Sequence, residues 1–443
     1  ANRGSISTGG YEIDNSVKLE ADNQEEFIRT PSSASNQKTW TVSMWFKRTE
    51  INNYQMLFGC LDTYCYFDTS NNLTINFRGA SENFFLITNR LFRDTSAWYH
   101  IVVVCDFTNS TAADRGRLYI NGVRETSYSN STYQNAHSGV SSSWNSGSAM
   151  AVGGQNGSTT FQSCGYMAEV HGVDGSALTA DSFGEFDSDT GIWIPKEYDG
   201  SYGTNGFYFK FDSASDMGND SSGNNNDFSV VNINQADQAT DTPTNNFATF
   251  NVLQPRASGT TIAEGGTEMY INSNYQTAVS SIAVSKGKWY AEFIPGSHTA
   301  FVGFVDVTEW TIPQLHNGFW LGYDGTGNTM SVSMKGTDGT IYNESNSATG
   351  ATYGNTDVVS VALDMDNRKA YFAVNGTWVN SGNPATEANP ILWYTQRADG
   401  TPWTDVITMG ITGHTNTYNR CNFGGYTSAS ISSAASDANG YGT

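Results

Sequence analysis

Breaking a glycosidic bond takes two carboxylates, one on each side of the sugar. The nearest candidates in this sequence are Glu169 with His171, and the run Glu185-Phe186-Asp187-Ser188-Asp189. The first is one acid beside an imidazole. The second reads as a loop, where acids are ordinary solvated turn residues. Other catalytic arrangements fare no better. The six histidines (His100, His137, His171, His298, His316, His414) are scattered. No Gly-x-Ser-x-Gly elbow joins a strand to a helix, and no Gly-rich loop precedes a helix to cradle phosphate. The sequence therefore predicts no catalytic residue and a protein that is not an enzyme.

Binding chemistry is better represented. Aromatic faces stack on sugar rings, while amides and carboxylates reach the hydroxyls. Trp144, Trp310, Trp393, Tyr394 and Trp403 fall on expected loops. The stretch 391–404, ILWYTQRADGTPWT, adds Gln396, Arg397 and Asp399 to three of these aromatics. These eight residues form the expected glycan site. Trp40, Trp45, Trp98, Trp289 and Trp378 fall on expected strands and are assigned to packing. Oxygen ligands for a hard cation gather in two loops: Asp106, Asn109 and Asp114, then Asp212, Asp216, Asp220 and Asp227. Calcium is the metal such loops suit, although neither has the alternating acids of an EF-hand.

The elements that must position these residues are strands. One phrase occurs twice: AWYHIVVVCD with its return GRLYINGV, and DVVSVALD with its return KAYFAVNG. Each is a β-branched strand and a partner ending in Asn-Gly, which tolerates positive φ and suits a tight hairpin turn. Val359, Val361 and Leu363 share one face, as do Ala370, Phe372 and Val374 on the return strand, the period of two that marks β structure. Thr39–Arg48 alternates in the same way, with Val42, Met44 and Phe46 opposite Thr41, Ser43 and Trp45. Ala177–Phe183 is the best short-helix candidate. The chain is rich in Gly (45) and in aromatic residues (13%), with only 15% charged. That composition, broken by Asn, Ser and Asp clusters, predicts an all-β chain of two antiparallel β-sandwich (jelly-roll type) domains in tandem.

A formal net charge of −21 repels phosphate backbones and anionic lipid, so neither nucleic acid nor membrane is an expected partner. The five cysteines are odd in number and widely spaced, unlike a secreted disulfide framework; only Cys60 and Cys65 could pair across a local turn. No signal-peptide pattern and no apolar run of membrane length occurs.

Two resemblances rest on ordered motifs. TVSMWFKR, AWYHIVVV, GRLYINGVR, VGG and GYMAEVHGVDGSALTADSF, over about residues 15–187, resemble the laminin-G-like branch of the concanavalin A-type lectin/glucanase sandwiches. Glucanases of that class carry Glu-x-Asp-x-x-Glu, and Thr190 stands here where the last Glu would be. Laminin-G-like domains often hold calcium at a sheet edge, so the resemblance implies calcium at one of the acidic loops. GKWYAEF, FVGF, GYDG, DVVSVALDMDNRKAYFAVNG and NFG resemble a SPRY domain, whose loops build a binding surface. The expected organisation is a laminin-G-like domain over 1–231 with a C-terminal hairpin addendum, a linker over 232–258, a SPRY-like sandwich over 259–427 and a flexible tail over 428–443.

The tandem, joined by DSSGNNND and DTPTNNFATFN, resembles tail-fibre or capsid-surface proteins of marine tailed phages. That resemblance implies a non-enzymatic virion surface appendage, assembled in the host cytoplasm, that binds host-surface glycan, contacts other virion proteins and forms a homo-oligomer. The alternatives are a structural decoration protein without glycan binding and a glycan-acting hydrolase.

Overall fold

The computed structural model describes residues 10–79, 82–132, 141–158, 160–254, 258–272, 274–311, 320–322, 330–343, 346–396 and 400–426. Its regular elements are antiparallel strands and short 3₁₀ turns. Its contacts divide into two compact units, 4–246 and, apart from the first three residues, 247–443.

In the first unit two sheets face each other. The first runs Val123–Arg124, Gly116–Ile120, Tyr99–Asp106, Thr39–Arg48, Gly165–Asp174, Ser16–Leu19 and Gln238–Ala239, with Phe207–Phe209 also paired to Gly165–Asp174. The second runs Tyr128–Thr132, Glu82–Leu91, Asn72–Gly79, Thr63–Phe67, Gln55–Cys60, Met150–Val152, Glu26–Arg29 and Ser229–Val231. Val42, Met44 and Phe46 point into the core between them, meeting Phe58, Phe67 and Ile75. Burying each such side chain is worth roughly 1.5–3 kcal/mol. The outward residues of the same strand, Thr41, Ser43, Trp45 and Lys47, are buried as well. A third layer covers them, built from residues 176–198, 241–246 and the segment at Tyr11.

The repeated phrase forms hairpins in both units. Asn121 and Gly122 have φ of 48° and 80°, and Asn375 and Gly376 have 47° and 76°, the double positive φ that Asn-Gly supplies. Other expectations need correction. The ten-residue strand Glu82–Leu91 and the strand Tyr128–Thr132 lie where no strand was expected. The helix candidate is only the 3₁₀ turn Ala180–Ser182, because seven residues without a sustained apolar stripe cannot offset helix nucleation. Glu185 and Phe186 sit in the strand Gly184–Phe186, paired with Trp193–Pro195, not in a loop.

Within the expected linker 232–258, the described residues carry some local structure. Asn234 caps a 3₁₀ turn, Gln238–Ala239 pairs with Ser16–Leu19, and Phe250 bridges Ser280. Two fully buried lysines explain the first part of this. Lys18 Nζ lies 2.9 Å from Asp237 and 3.6 Å from Glu25, and Lys47 Nζ lies 2.6 Å from Asp241. A buried ammonium needs a carboxylate, and 237–241 supplies both lysines with one.

The second unit stacks the sheet that includes Lys288–Ile294, Val359–Asp364 and Lys369–Val374 on the sheet that includes Gln276–Val279, Phe301–Asp306 and Ile407–Gly413. Val359, Val361, Leu363, Ala370 and Phe372 all enter its core. All five cysteines are buried and free. Cys60 and Cys65 are not paired, and the Cys60 Sγ–H points to the Ser143 carbonyl instead.

Candidate functional site

The outward face of the first sheet carries a row of polar and aromatic side chains. His100 stands opposite Trp45 in strand register. It stacks on Trp45 (4.7 Å, 29°), and Trp193 lies nearly parallel to it at 5.8 Å (24°). Trp193 Nε1–H donates to His100 Nδ1 at 2.9 Å. The imidazole proton therefore sits on Nε2, which donates to Ser43 Oγ at 2.9 Å. Burial, aided by the nearby His171, holds His100 down at about 3, so the ring is neutral. Trp193 is seated by close backbone. A Cβ on Gly122 would stand 2.2 Å from its ring and one on Gly184 2.5 Å, so both positions need glycine for Trp193 to fit.

Trp98 is fixed by Lys47's partner. Its Nε1–H donates to Asp241 Oδ1 at 2.9 Å while Lys47 binds Oδ2 and Asn246 Oδ1. Burial pulls Lys47 down, and the charge of Asp241 opposes the pull.

Above these groups lies a cleft of about 350 Å³ whose lining includes Trp45, Trp98 and Trp193, each only 5–7% exposed. The hairpin 184–195 contributes Phe186 and Ile192, exposed by 53% and 50%. Tyr11, Glu12, Asn121, Thr244 and Asn246 add polar atoms to the lining. The indole nitrogens of Trp98 and Trp193 are already used, whereas Trp45 Nε1 has no hydrogen-bond partner among the described residues. The cleft thus offers the exposed apolar faces of Phe186 and Ile192 and a few polar side chains.

Tyr11 joins the cleft to a buried cluster. Glu169 lies at a β-bulge between Ala168 and His171, with φ of 49°. It accepts from Tyr208 Oη at 2.7 Å on both oxygens and from Tyr11 Oη at 3.0 Å. His171 stacks on Tyr208 at 4.3 Å, and its Nδ1 meets Tyr202 Oη at 2.8 Å. Burial first, then the Glu169 charge, pushes the hydroxyls of Tyr11, Tyr202 and Tyr208 upward. In the second acidic group, Asp187 Oδ1 accepts from the backbone of Asp189 and Thr190 and from Thr190 Oγ1, so it caps its own turn.

Most of the sequence-predicted site residues do other work. Trp144 is 1% exposed and packs on Phe58 (5.1 Å) and Trp40 (5.9 Å). Trp393 and Trp403 belong to the second core, Trp393 against Phe304 at 5.1 Å. These three are core side chains of the two units. Tyr394 and Gln396 are exposed, with Gln396 bridged to Pro402. Arg397 and Asp399 lie outside the described residues. Trp310 lies in the 3₁₀ turn Val307–Thr311, its side chain likewise outside.

Neither acidic loop fits calcium. Asp106 faces Arg117 at 3.7 Å and accepts from Thr108 Oγ1 at 2.6 Å; Asp114 pairs with Arg124 at 2.5 Å. Asn109 spends its side-chain oxygen on the Thr111 N–H. Asp220 accepts the backbone N–H of Tyr208, Ser222 and Asn226, and Asp227 accepts that of Asp220. Asp212 and Asp216 are exposed. No group of three or more His, Cys, Asp or Glu that could hold a metal occurs among the described residues.

Of the cleft's indoles, the sequence assigns Trp45 and Trp98 to packing and does not single out Trp193. The signal was present, since Trp45 has the opposite phase to Val42, Met44 and Phe46. Among the described residues no helix is long and apolar enough to cross a membrane.

Comparison with known proteins agrees with the all-β fold. Residues 22–182, just over a third of the chain, match the family model of the concanavalin A-like lectin/glucanases superfamily. No curated protein matches. Among solved structures, the chain is similar to the native heptameric SAP-like pentraxin from Limulus polyphemus, with 17% identity and a TM-score of 0.29 over 38% of this chain and 78% of that one. It is also similar to the SPRY domain of human HERC1 (14% identity, TM-score 0.27, 39% of this chain and 96% of that one). A human SPRY domain gives 16% identity and a TM-score of 0.25, over 39% of this chain and 100% of that one. The stretch 22–182 is thus similar to a superfamily of lectins and glucanases, a fold compatible with carbohydrate binding.

Proposed function

We propose that this protein binds carbohydrate without turning it over, and that the ligand enters the cleft of the first unit. The observation that carries the reading is the cleft rimmed by the half-exposed Phe186 and Ile192, with the mostly buried rings of Trp45, Trp98 and Trp193 at its base. A rim seated on a rigid base loses little entropy on binding, and a sugar's C–H face is the natural complement to the exposed Phe186 ring. The superfamily match over 22–182 supports the same chemistry. The non-enzymatic reading is supported by Glu169, whose two oxygens are both held by tyrosine hydroxyls.

The setting we infer is a virion surface, with other virion proteins and further copies of the chain as partners. It rests on the sequence resemblance of the tandem. The test is a titration of tryptophan fluorescence with neutral oligosaccharides, backed by a glycan array. Binding should be lost or weakened about tenfold in Phe186→Ala, close to the ~1.4 kcal/mol of one aromatic contact. A chain that ignores every glycan but joins a stable assembly would be a decoration protein. Release of reducing sugar, abolished by Glu169→Gln, would make it a hydrolase.

A further inference from the structure

Lys47 stands on the outward face of Thr39–Arg48, yet its side chain is fully buried beneath the segment 241–246. Its Nζ meets two side-chain acyl groups of that segment. Asp241 Oδ2 lies at 2.6 Å and Asn246 Oδ1 at 2.8 Å. The buried Trp98 indole holds the other Asp241 oxygen, and the ring of Tyr166, also buried, lies 5.8 Å from Nζ.

The Asn246 amide is oriented. Its Nδ2 donates to the Ser96 carbonyl at 2.8 Å, so Oδ1 faces the lysine. A C=O bond is about 1.23 Å long, which puts Nζ no more than about 4 Å from Cγ. That is a short slide from the roughly 3–3.5 Å of a near-attack arrangement. Burial favours the neutral amine of Lys47, while the Asp241 charge favours the ammonium. A carboxylate in direct contact can resolve that conflict by taking the proton itself, since amine and carboxylic acid leave no charge buried. A desolvated neutral lysine is a nucleophile, and the acid beside it is a proton carrier.

We propose that Lys47 Nζ and Asn246 Cγ join in an intramolecular amide, with Asp241 as the proton carrier and ammonia as the leaving group. Asp241 takes one proton from the Lys47 ammonium. The freed lone pair attacks Cγ, and the C=O π electrons move onto Oδ1. Asp241 then gives its proton to Nδ2 and takes a second from Nζ. The electrons on Oδ1 re-form the C=O bond as the Cγ–Nδ2 bond breaks and ammonia departs. One proton stays on Asp241 and one on the new amide nitrogen, so no charge stays buried and no further reactant is needed. Asn246 also lines the cleft, which gives ammonia a way out. The ion pair of Lys47 and Asp241 is the state before the bond. The bond joins residues 199 apart in sequence and fixes the last residue of the first unit to the strand Thr39–Arg48. It does not depend on what the cleft binds.

The test is the intact mass of the full chain, purified, aged in buffer and measured in denaturant. It should lie about 17 Da below the mass of the sequence, the loss of one ammonia. Proteolysis with tandem mass spectrometry should give a branched peptide joining Lys47 to Asn246. Asn246→Ala and Asp241→Ala should keep their full masses. Asn246→Asp should lose water in place of ammonia, about 18 Da, and so reach the same final mass as the parent. That rescue separates the bond from a folding defect in the alanine variants. An aged parent at full mass overturns the proposal. A deficit of the same size that survives Asn246→Ala also overturns it, as does a branched peptide joining Lys47 to Asp241.

Discussion

His100 is the residue on which the cleft turns. Its Nδ1 accepts from Trp193 and has no room for a second proton, so protonation must break that bond. The folded value of about 3 lies below the ordinary 6.5. Between those values the unfolded chain takes up a proton that the native chain refuses, so stability is lost as pH falls through the window. Glu25 acts in the opposite sense. Burial raises it to about 7 from 4.5, against the pull of Lys18. There the native chain keeps a proton that the unfolded chain gives up, so stability falls as pH rises from 4.5 to 7. The two slopes overlap and must be separated by variants. Urea unfolding across pH 4–7 should show the acid-side loss disappear in His100→Gln and the neutral-side loss disappear in Glu25→Gln. An unchanged pH profile in either variant would remove that residue from the account.

At the scale of elements, the segment 232–246 matters more than its sequence suggests. It lacks periodicity and carries Pro243, so it reads as a linker, yet Asp237 and Asp241 each meet a buried lysine. A pattern of alternation identifies which face of a strand is apolar. It does not show that a charged residue on the other face, here Lys18 or Lys47, is itself roofed. The strands of the core were legible for that reason and the third layer was not. The same gap explains the site. Trp45 was visible as out of phase with Met44, but its partners Trp98 and Trp193 arrive from 53 and 148 residues further along, and only the fold brings them together. Asp241→Ala should cost about 3–5 kcal/mol, since it strands a buried ammonium, together with the Trp98 N–H. Denaturant unfolding measures that loss, and a value near zero would mean that the segment is not held by this pair.

For the whole molecule, the two units have separate cores, and the cleft belongs wholly to the first. Residues 4–246 should therefore fold as one cooperative unit and bind the same oligosaccharides as the full chain, with Kd within about threefold, which is below 1 kcal/mol. A chain ending at residue 231 should not, because it lacks the partners of Lys47 and Trp98 and half the counter-charge of Lys18. Calorimetry on the two truncations, with tryptophan fluorescence titration of each, measures both claims. The net charge of −21 adds a condition on the ligand. A polyanion attracts no acidic polysaccharide at low salt, and its repulsion is screened over about 8 Å at physiological ionic strength. Binding to neutral oligosaccharides should hence be indifferent to salt, while any binding to uronic or sulfated glycans should strengthen as salt rises. If 4–246 folds but the full chain alone binds, the aromatic cleft is not the site, and the ligand contacts must be sought in residues 247–443.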